Sequence, residues 1–439
     1  MRRARARRRG RASRSRRRRA AAGAVPRRRA DFAARAVRLP SRLRPGSVSS
    51  GDRRLSRTRE RGPVRADPAE QNRSPGSPLV ILRDLLRVLG SNRRDGRNLT
   101  ADEARDAFAT ILDGNESEVR IGAFLIALRW KGVTVEEYVG FARAARAKAT
   151  IPCEGLEHLV CVCPPHDGFE RHAPLEVASG LIAAAAGARV LIISDRCVPP
   201  KRGLTPASVL ERLEAPMTWD PSEAESWVVK ARFAAISATG MLPAWLGLRR
   251  VRGDLGVRTA LSTVEKLVAP SSAALLVGAY SGPVLGTAVE TIQGLGHKRG
   301  IVVQGLEGGV VPSVVRRSRG IELVEGCQVP LSIEPGDWGV ASDDDAELPL
   351  FMPGDEGQGP ADNPRLVQSS ADQVSAVLCG QAGAARSAAL LGAALVLKAA
   401  GLCPTLSDGV DRATSALDSG EASGVLARLR ELARRPRAG

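Results

Sequence analysis

Along residues 79–148 the apolar positions recur at helical spacing, whereas from residue 158 onward they gather into short continuous runs separated by helical stretches. Leu79, Leu82, Leu85, Leu86 and Leu89 line one face of a first helix that stops at Gly90. Thr100-Ala-Asp-Glu103 and Thr134-Val-Glu-Glu137 each set a hydroxyl three residues ahead of a carboxylate. That is the reciprocal cap that opens an amphipathic helix, and Val119–Trp130 reads as a further helix between them. The pattern predicts a small all-α domain over residues 79–150 whose apolar faces need a covering partner.

The later runs are His158–Cys163, Arg189–Ile193, Phe233–Ser237, Ala273–Ala279, Ile301–Gln304 and Ile321–Val324. Apolar on both faces and spaced by helical segments, they predict a mainly parallel sheet covered by helices on both sides, an α/β domain over residues 151–435. Residues 343–365, which begin Asp343-Asp-Asp345 and are rich in Pro and Gly, read as a surface loop. Residues 367–432 read as helices packing back on the fold.

Charge divides the chain differently. The net charge is +18, yet residues 1–78 hold 26 Arg, no Lys and 5 carboxylates, a net of +21, which leaves −3 for the remainder. With 15 Arg in the first 30 residues and few large apolar side chains, this tail buries too little surface to offset its ordering entropy and is expected to be disordered. Three readings of it stay open: an arm for DNA or RNA, a leader upstream of the true start, or an organelle transit peptide. Seven cysteines without a Cys-x-x-Cys pair, mostly inside apolar runs, read as reduced core residues of a cytoplasmic protein. No apolar run reaches membrane-spanning length. Cys161 and Cys163 share a strand face, but only His158 and His166 lie near in sequence, so neither a metal nor a cofactor is expected.

The candidate chemistry gathers at one turn. The strand His158–Cys163 runs through Pro164-Pro-His-Asp-Gly-Phe-Glu-Arg-His172 into an alanine-rich helix at Leu175–Gly187, the kind of turn on which phosphates usually sit. Here it offers a single glycine, Gly168. Pro164 and Pro165 have no N–H to give an anion, and Asp167 and Glu170 would repel one. His166, Asp167 and His172 could form an acid/base or metal group, or simply a structural turn. Lys201 and Arg202, with Arg196, could still hold an anion nearby.

The segments Leu99–Gly114, Ile121–Gly132, Thr134–Glu137, Ala183–Val190, Ser208–Leu213, Leu255–Thr259, Gly278–Ser281 and Gly305–Gly308 together resemble anthranilate phosphoribosyltransferase, of glycosyl transferase family 3, in order across residues 80–435. The resemblance implies a two-domain fold but not the enzyme's chemistry. The enzyme's Gly-Thr-Gly-Gly-Asp loop falls on Pro165-His-Asp-Gly-Phe169. Its Lys-His-Gly-Asn-Arg strand end becomes Ile192-Ile-Ser-Asp-Arg196, and its magnesium-holding Asp-Glu pair becomes Val310-Val311. Leu255–Leu267 and Gln304–Gly308 look like the YbiB group, relatives that lack the same motifs and are described as nucleic-acid-binding. That likeness implies a homodimer through the helical domain and a basic surface. Given the core charge of −3, such a surface must be the tail or a local patch, and the candidates are Arg249, Arg250, Arg252 and Arg258, and Arg316, Arg317 and Arg319. Aromatics are too scarce for base stacking, so backbone contact is expected. The expectation is therefore a catalytically degenerate relative that binds DNA or RNA. An active phosphoribosyl transferase and a small-anion sensor are the alternatives.

Overall fold

The computed structural model describes residues 82–90, 96–280, 282–349 and 359–434; the arginine-rich tail lies outside them. The N-terminal bundle consists of α1 (Leu82–Gly90), α2 (Ala101–Leu112), α3 (Glu118–Lys131) and α4 (Val135–Lys148). Both reciprocal caps are present: Thr100 with Glu103 opens α2, and Thr134 with Glu137 opens α4. Helices α2 and α4 approach closely because Gly140 has no side chain, since a Cβ there would lie 2.3 Å from the Ala101 carbonyl oxygen. Phe108, Phe124 and Phe141 fill the centre, with Phe141 5.3 Å from Phe108 and 6.2 Å from Phe124 between ring centroids. Leu125 and Leu128 point into this core, while Val119 and Trp130 on α3 are 82% and 93% exposed.

The larger part is built on β1 (Leu159–Cys163), β2 (Arg189–Ser194), β3 (Phe233–Ser237), β4 (Ala274–Gly278), β5 (Arg299–Val303), β6 (Ser318–Val324) and β7 (Cys327–Ile333), in the spatial order β3-β2-β1-β4-β5-β6-β7. Strands β3, β2, β1, β4 and β5 are parallel, and β5–β6 and β6–β7 are antiparallel. The six expected strands are found. The seventh was not anticipated, because β7 is an exposed edge with Pro330 in it and lacks the two-sided apolar run that marks the others. Helix α5 (Glu176–Ala185) is buried along nearly its whole length beneath the helix Ala384–Ala399. Small residues make this layering possible: a Cβ on Gly180 would sit 2.8 Å from the Phe233 ring. All seven cysteines are free, with Cys161 and Cys163 buried in β1. No helix among the described residues is long and apolar enough to cross a membrane.

Candidate functional site

The turn after β1 meets the ends of β2, β4 and β5 at the C-terminal edge of the parallel strands, where α/β sheets hold their ligands. Its backbone is fully committed to protein acceptors from Gly168 to Ala173. Gly168 donates to the Pro165 carbonyl at 3.0 Å, Phe169 to Leu204 at 2.8 Å and Ala173 to Ala346 at 3.3 Å. The three amides between them, of Glu170, Arg171 and His172, donate to the carboxylate of Glu307 at 3.0, 2.8 and 3.1 Å. The same carboxylate accepts from His172 Nδ1 and Lys201 Nζ, each at 3.0 Å. Burial works to raise the Glu307 carboxyl, but His172, the turn amides and Lys201 outweigh it and hold the group well below the ordinary carboxylate range. Gly168 is required here: its φ is +78°, and a Cβ would come within 2.5 Å of the Gly203 carbonyl.

Beneath the turn lies a buried polar cluster. Asp167 is clasped by Arg258 through two bonds, Nε to Oδ2 at 2.7 Å and Nη2 to Oδ1 at 2.6 Å. Arg252, 5% exposed, pairs with Glu265 and donates to the Pro199 carbonyl at 2.9 Å. His166 lies with its Nδ1 3.7 Å from Glu265, and burial pushes the imidazole down. Lys266 donates to the Gly278 carbonyl at 3.1 Å, and burial, with Arg258 beside it, brings its amine down to about 8. Glu176, at the start of α5, accepts from the Val310 amide at 3.2 Å, and desolvation drives its carboxyl up to about 7. Val310 and Val311 are themselves buried and present no oxygen ligand from their side chains.

The sequence candidates thus separate. His166, Asp167 and Gly168 are buried parts of the turn, and Lys201 joins it through Glu307 and through Glu170 at 3.2 Å. Arg196 does not: it pairs with Glu211 beside a separate hollow of about 230 Å³ that Arg249 also lines. The Arg202 side chain is exposed and engages none of these groups. Of the surface candidates, Arg252 is buried in its ion pair with Glu265, which corrects its expected place on a binding face, and Arg258 is held by Asp167 while remaining partly exposed. Arg249 lies 3.3 Å from Asp195 and donates to the Arg196 carbonyl at 3.2 Å. Arg250 is exposed, 3.5 Å from Glu118 and 3.8 Å from Asp254. Arg316, Arg317 and Arg319 are exposed, and no carboxylate among the described residues pairs with them. Arg316 and Arg317 line a cleft of about 370 Å³ with Arg171, His172, Tyr280 and Glu307. A second cleft, of about 410 Å³, opens between bundle and sheet, with Arg129 and Tyr138 on one wall and Arg258 and Tyr280 on the other. Sequence reasoning missed Glu307, whose signal was a lone carboxylate in the glycine-rich turn Gly305-Leu-Glu-Gly308, and it missed Arg171, Glu176 and Lys266.

Profiles of the glycosyl transferase family match both parts of the chain, the helical bundle domain over residues 91–149 and the a/b domain over residues 174–423. The chain belongs to this family. An anthranilate phosphoribosyltransferase of Brevibacillus brevis is 31% identical over 340 residues, covering 77% of this chain and 95% of the relative. Anthranilate phosphoribosyltransferase 2 of Streptomyces coelicolor is 30% identical over 334 residues, with 76% and 95% covered. Among solved structures, anthranilate phosphoribosyltransferase from Thermus thermophilus superposes with a TM-score of 0.66 at 26% identity, over 81% of this chain and 99% of that one. This glycosyl transferase family member is therefore anthranilate phosphoribosyltransferase-like along nearly the full length of those relatives, with its β1–α5 turn closed by its own carboxylate.

Proposed function

We propose that this chain has lost phosphoribosyl transfer and binds the phosphate backbone of DNA or RNA, as the YbiB group it resembles is described to do. The observation that carries the reading is the arginine face of Arg171, Arg316 and Arg317. It is cationic and exposed, and its one lining carboxylate, Glu307, is saturated by other donors. Cations of this kind contact backbone phosphates without reading sequence and release condensed counterions as they do so. Loss of transfer is supported by the turn amides, none of which from Gly168 to Ala173 is left for a pyrophosphate, and by the apolar Val310-Val311 pair. A cytoplasmic setting fits seven unpaired cysteines.

Two experiments test this reading. In the full chain, Arg316→Ala/Arg317→Ala lowers the salt slope of mixed-sequence duplex binding by about 2, roughly one per lost phosphate contact. An unchanged slope that collapses only when residues 1–78 are removed moves the site to the tail. Magnesium-dependent formation of phosphoribosyl anthranilate by the purified protein overturns the loss of transfer. That second reading, an active transferase, is favoured by the names of the relatives.

We further infer a homodimer through the bundle. Val119, Ile126 and Trp130 form an exposed apolar stripe at helical spacing on α3, which a second copy would cover. Trp130→Glu then yields a folded monomer in sedimentation, and a wild type that is monomeric at micromolar concentration refutes the dimer.

A further inference from the structure

Among the described residues Lys266 is the only buried lysine, and it is held unlike the others. Lys131, Lys148, Lys201 and Lys398 each meet a carboxylate. Lys266 Nζ instead donates to two neutral acceptors, the carbonyl oxygens of Gly278 at 3.1 Å and Gly308 at 3.5 Å. A neutral amine has two N–H bonds, so two carbonyls satisfy it and leave its lone pair uncommitted, whereas an ammonium would bring a third donor. Burial and then the Arg258 guanidinium favour the neutral form, opposed in part by Asp167, Glu265 and Cys163, and the amine comes down to about 8. Both of those carboxylates are already spent, Asp167 on Arg258 and Glu265 on Arg252. An amine freed of its proton by desolvation and a neighbouring cation is the kind that condenses with carbonyl groups.

Lys266 lines the 410 Å³ cleft between bundle and sheet, where Val133, Ala260, Ala279, Pro283 and Val284 make much of the wall apolar. Arg129 lines the same cleft from α3; it is exposed, donates to the Arg258 carbonyl oxygen and pairs with no carboxylate, so its charge is free for a ligand. We propose that Lys266 captures carbonyl compounds covalently, and that the cleft takes a small aldehyde or ketone carrying a carboxylate, joined to Nζ as an imine with its carboxylate toward Arg129. The neutral amine adds to the carbonyl carbon, and the resulting carbinolamine expels the carbonyl oxygen as water. That water takes both Nζ protons, and a C=N bond replaces C=O without any oxidant or reductant. The inference goes beyond nucleic-acid binding, since it concerns a small ligand, a different cleft and a covalent bond.

The test incubates the full chain near neutral pH with glyoxylate and cyanoborohydride, which reduces an imine to a stable carboxymethyl amine, and maps the adducts by peptide mass spectrometry. Lys266 is expected to label about tenfold or more faster than the exposed Lys230 and Lys298. Its labelling should level off near pH 8, the value at which its amine is half neutral, while theirs keeps rising. Lys266→Arg and Lys266→Met each lose the fast adduct, and continued slow labelling of Lys230 and Lys298 serves as the internal control. Arg129→Ala slows capture of glyoxylate several-fold but not that of acetaldehyde, which has no carboxylate. A wild-type Lys266 that labels no faster than Lys230 and Lys298 overturns the proposal without recourse to any variant, and so does an Arg129→Ala protein that slows both aldehydes alike or neither.

Discussion

Arg252 in the helix Ala244–Leu255 and Arg316 and Arg317 between β5 and β6 come from equally dense arginine runs, and they have opposite surroundings. Arg252 is buried against Glu265, with Arg258 beyond the helix clasped to Asp167. Arg316 and Arg317 face solvent and a cleft with no acidic partner of their own. What separates the clusters is whether a carboxylate has been brought opposite, Glu265 from 13 residues away for Arg252 and Asp167 from 91 residues away for Arg258. A buried cation so matched is structural, because removing it strands its partner's charge in a low-dielectric site, whereas an exposed unmatched one is free to meet a ligand.

The sharpest way to break the comparison is to truncate one member of each cluster. Arg252→Ala leaves Glu265 buried and unpaired and should cost about 3–5 kcal/mol in urea unfolding, while Arg316→Ala and Arg317→Ala should each stay within roughly 0.5 kcal/mol. Equal effects would erase the distinction. Next in size is the pH response of Glu176, whose carboxyl stands at about 7 in the fold against an ordinary 4.5. With the folded value raised, its contribution is fully present below the unfolded value and is lost as pH climbs through the folded one. The wild type should therefore lose up to roughly 3 kcal/mol between about pH 4.5 and 7, and Glu176→Gln should not. Melting temperatures of the two proteins at pH 5 and 7.5 check this, and parallel curves would count against the buried acid. The smallest effect belongs to Arg250, two positions from Arg252 but exposed beside Glu118 and Asp254. Arg250→Ala should change stability by about 0–0.5 kcal/mol, and a loss near that of Arg252→Ala would show that position in the helix, not burial, governs the run.

What was legible in sequence was what local physics determines. The caps at Thr100 and Thr134 bond across three residues, and β1 to β5 announce themselves as runs apolar on both faces. The site was half legible. Pro164, Pro165 and the Val310-Val311 pair marked a turn with few donors or oxygen ligands of its own, but nothing local indicated that Glu307 would take up three of its amides. The decisive contacts join positions 91 residues apart for Arg258 with Asp167 and 135 for His172 with Glu307. The same reasoning explains the bundle: Leu125 and Trp130 both belong to an apolar helix by spacing, and only packing reveals that the first is core and the second is surface.

Strand β7 carries one more consequence. Cys327 to Pro330 are exposed on the outermost strand of a seven-stranded sheet, the place where an unfolded neighbour could add itself as an eighth. Pro330 sits opposite Ile321 in the middle of that strand and has no N–H, so no uninterrupted row of donors is offered for a further strand to copy. At high concentration, as during synthesis or refolding, this single imino acid guards the open side of the sheet against edge-to-edge aggregation.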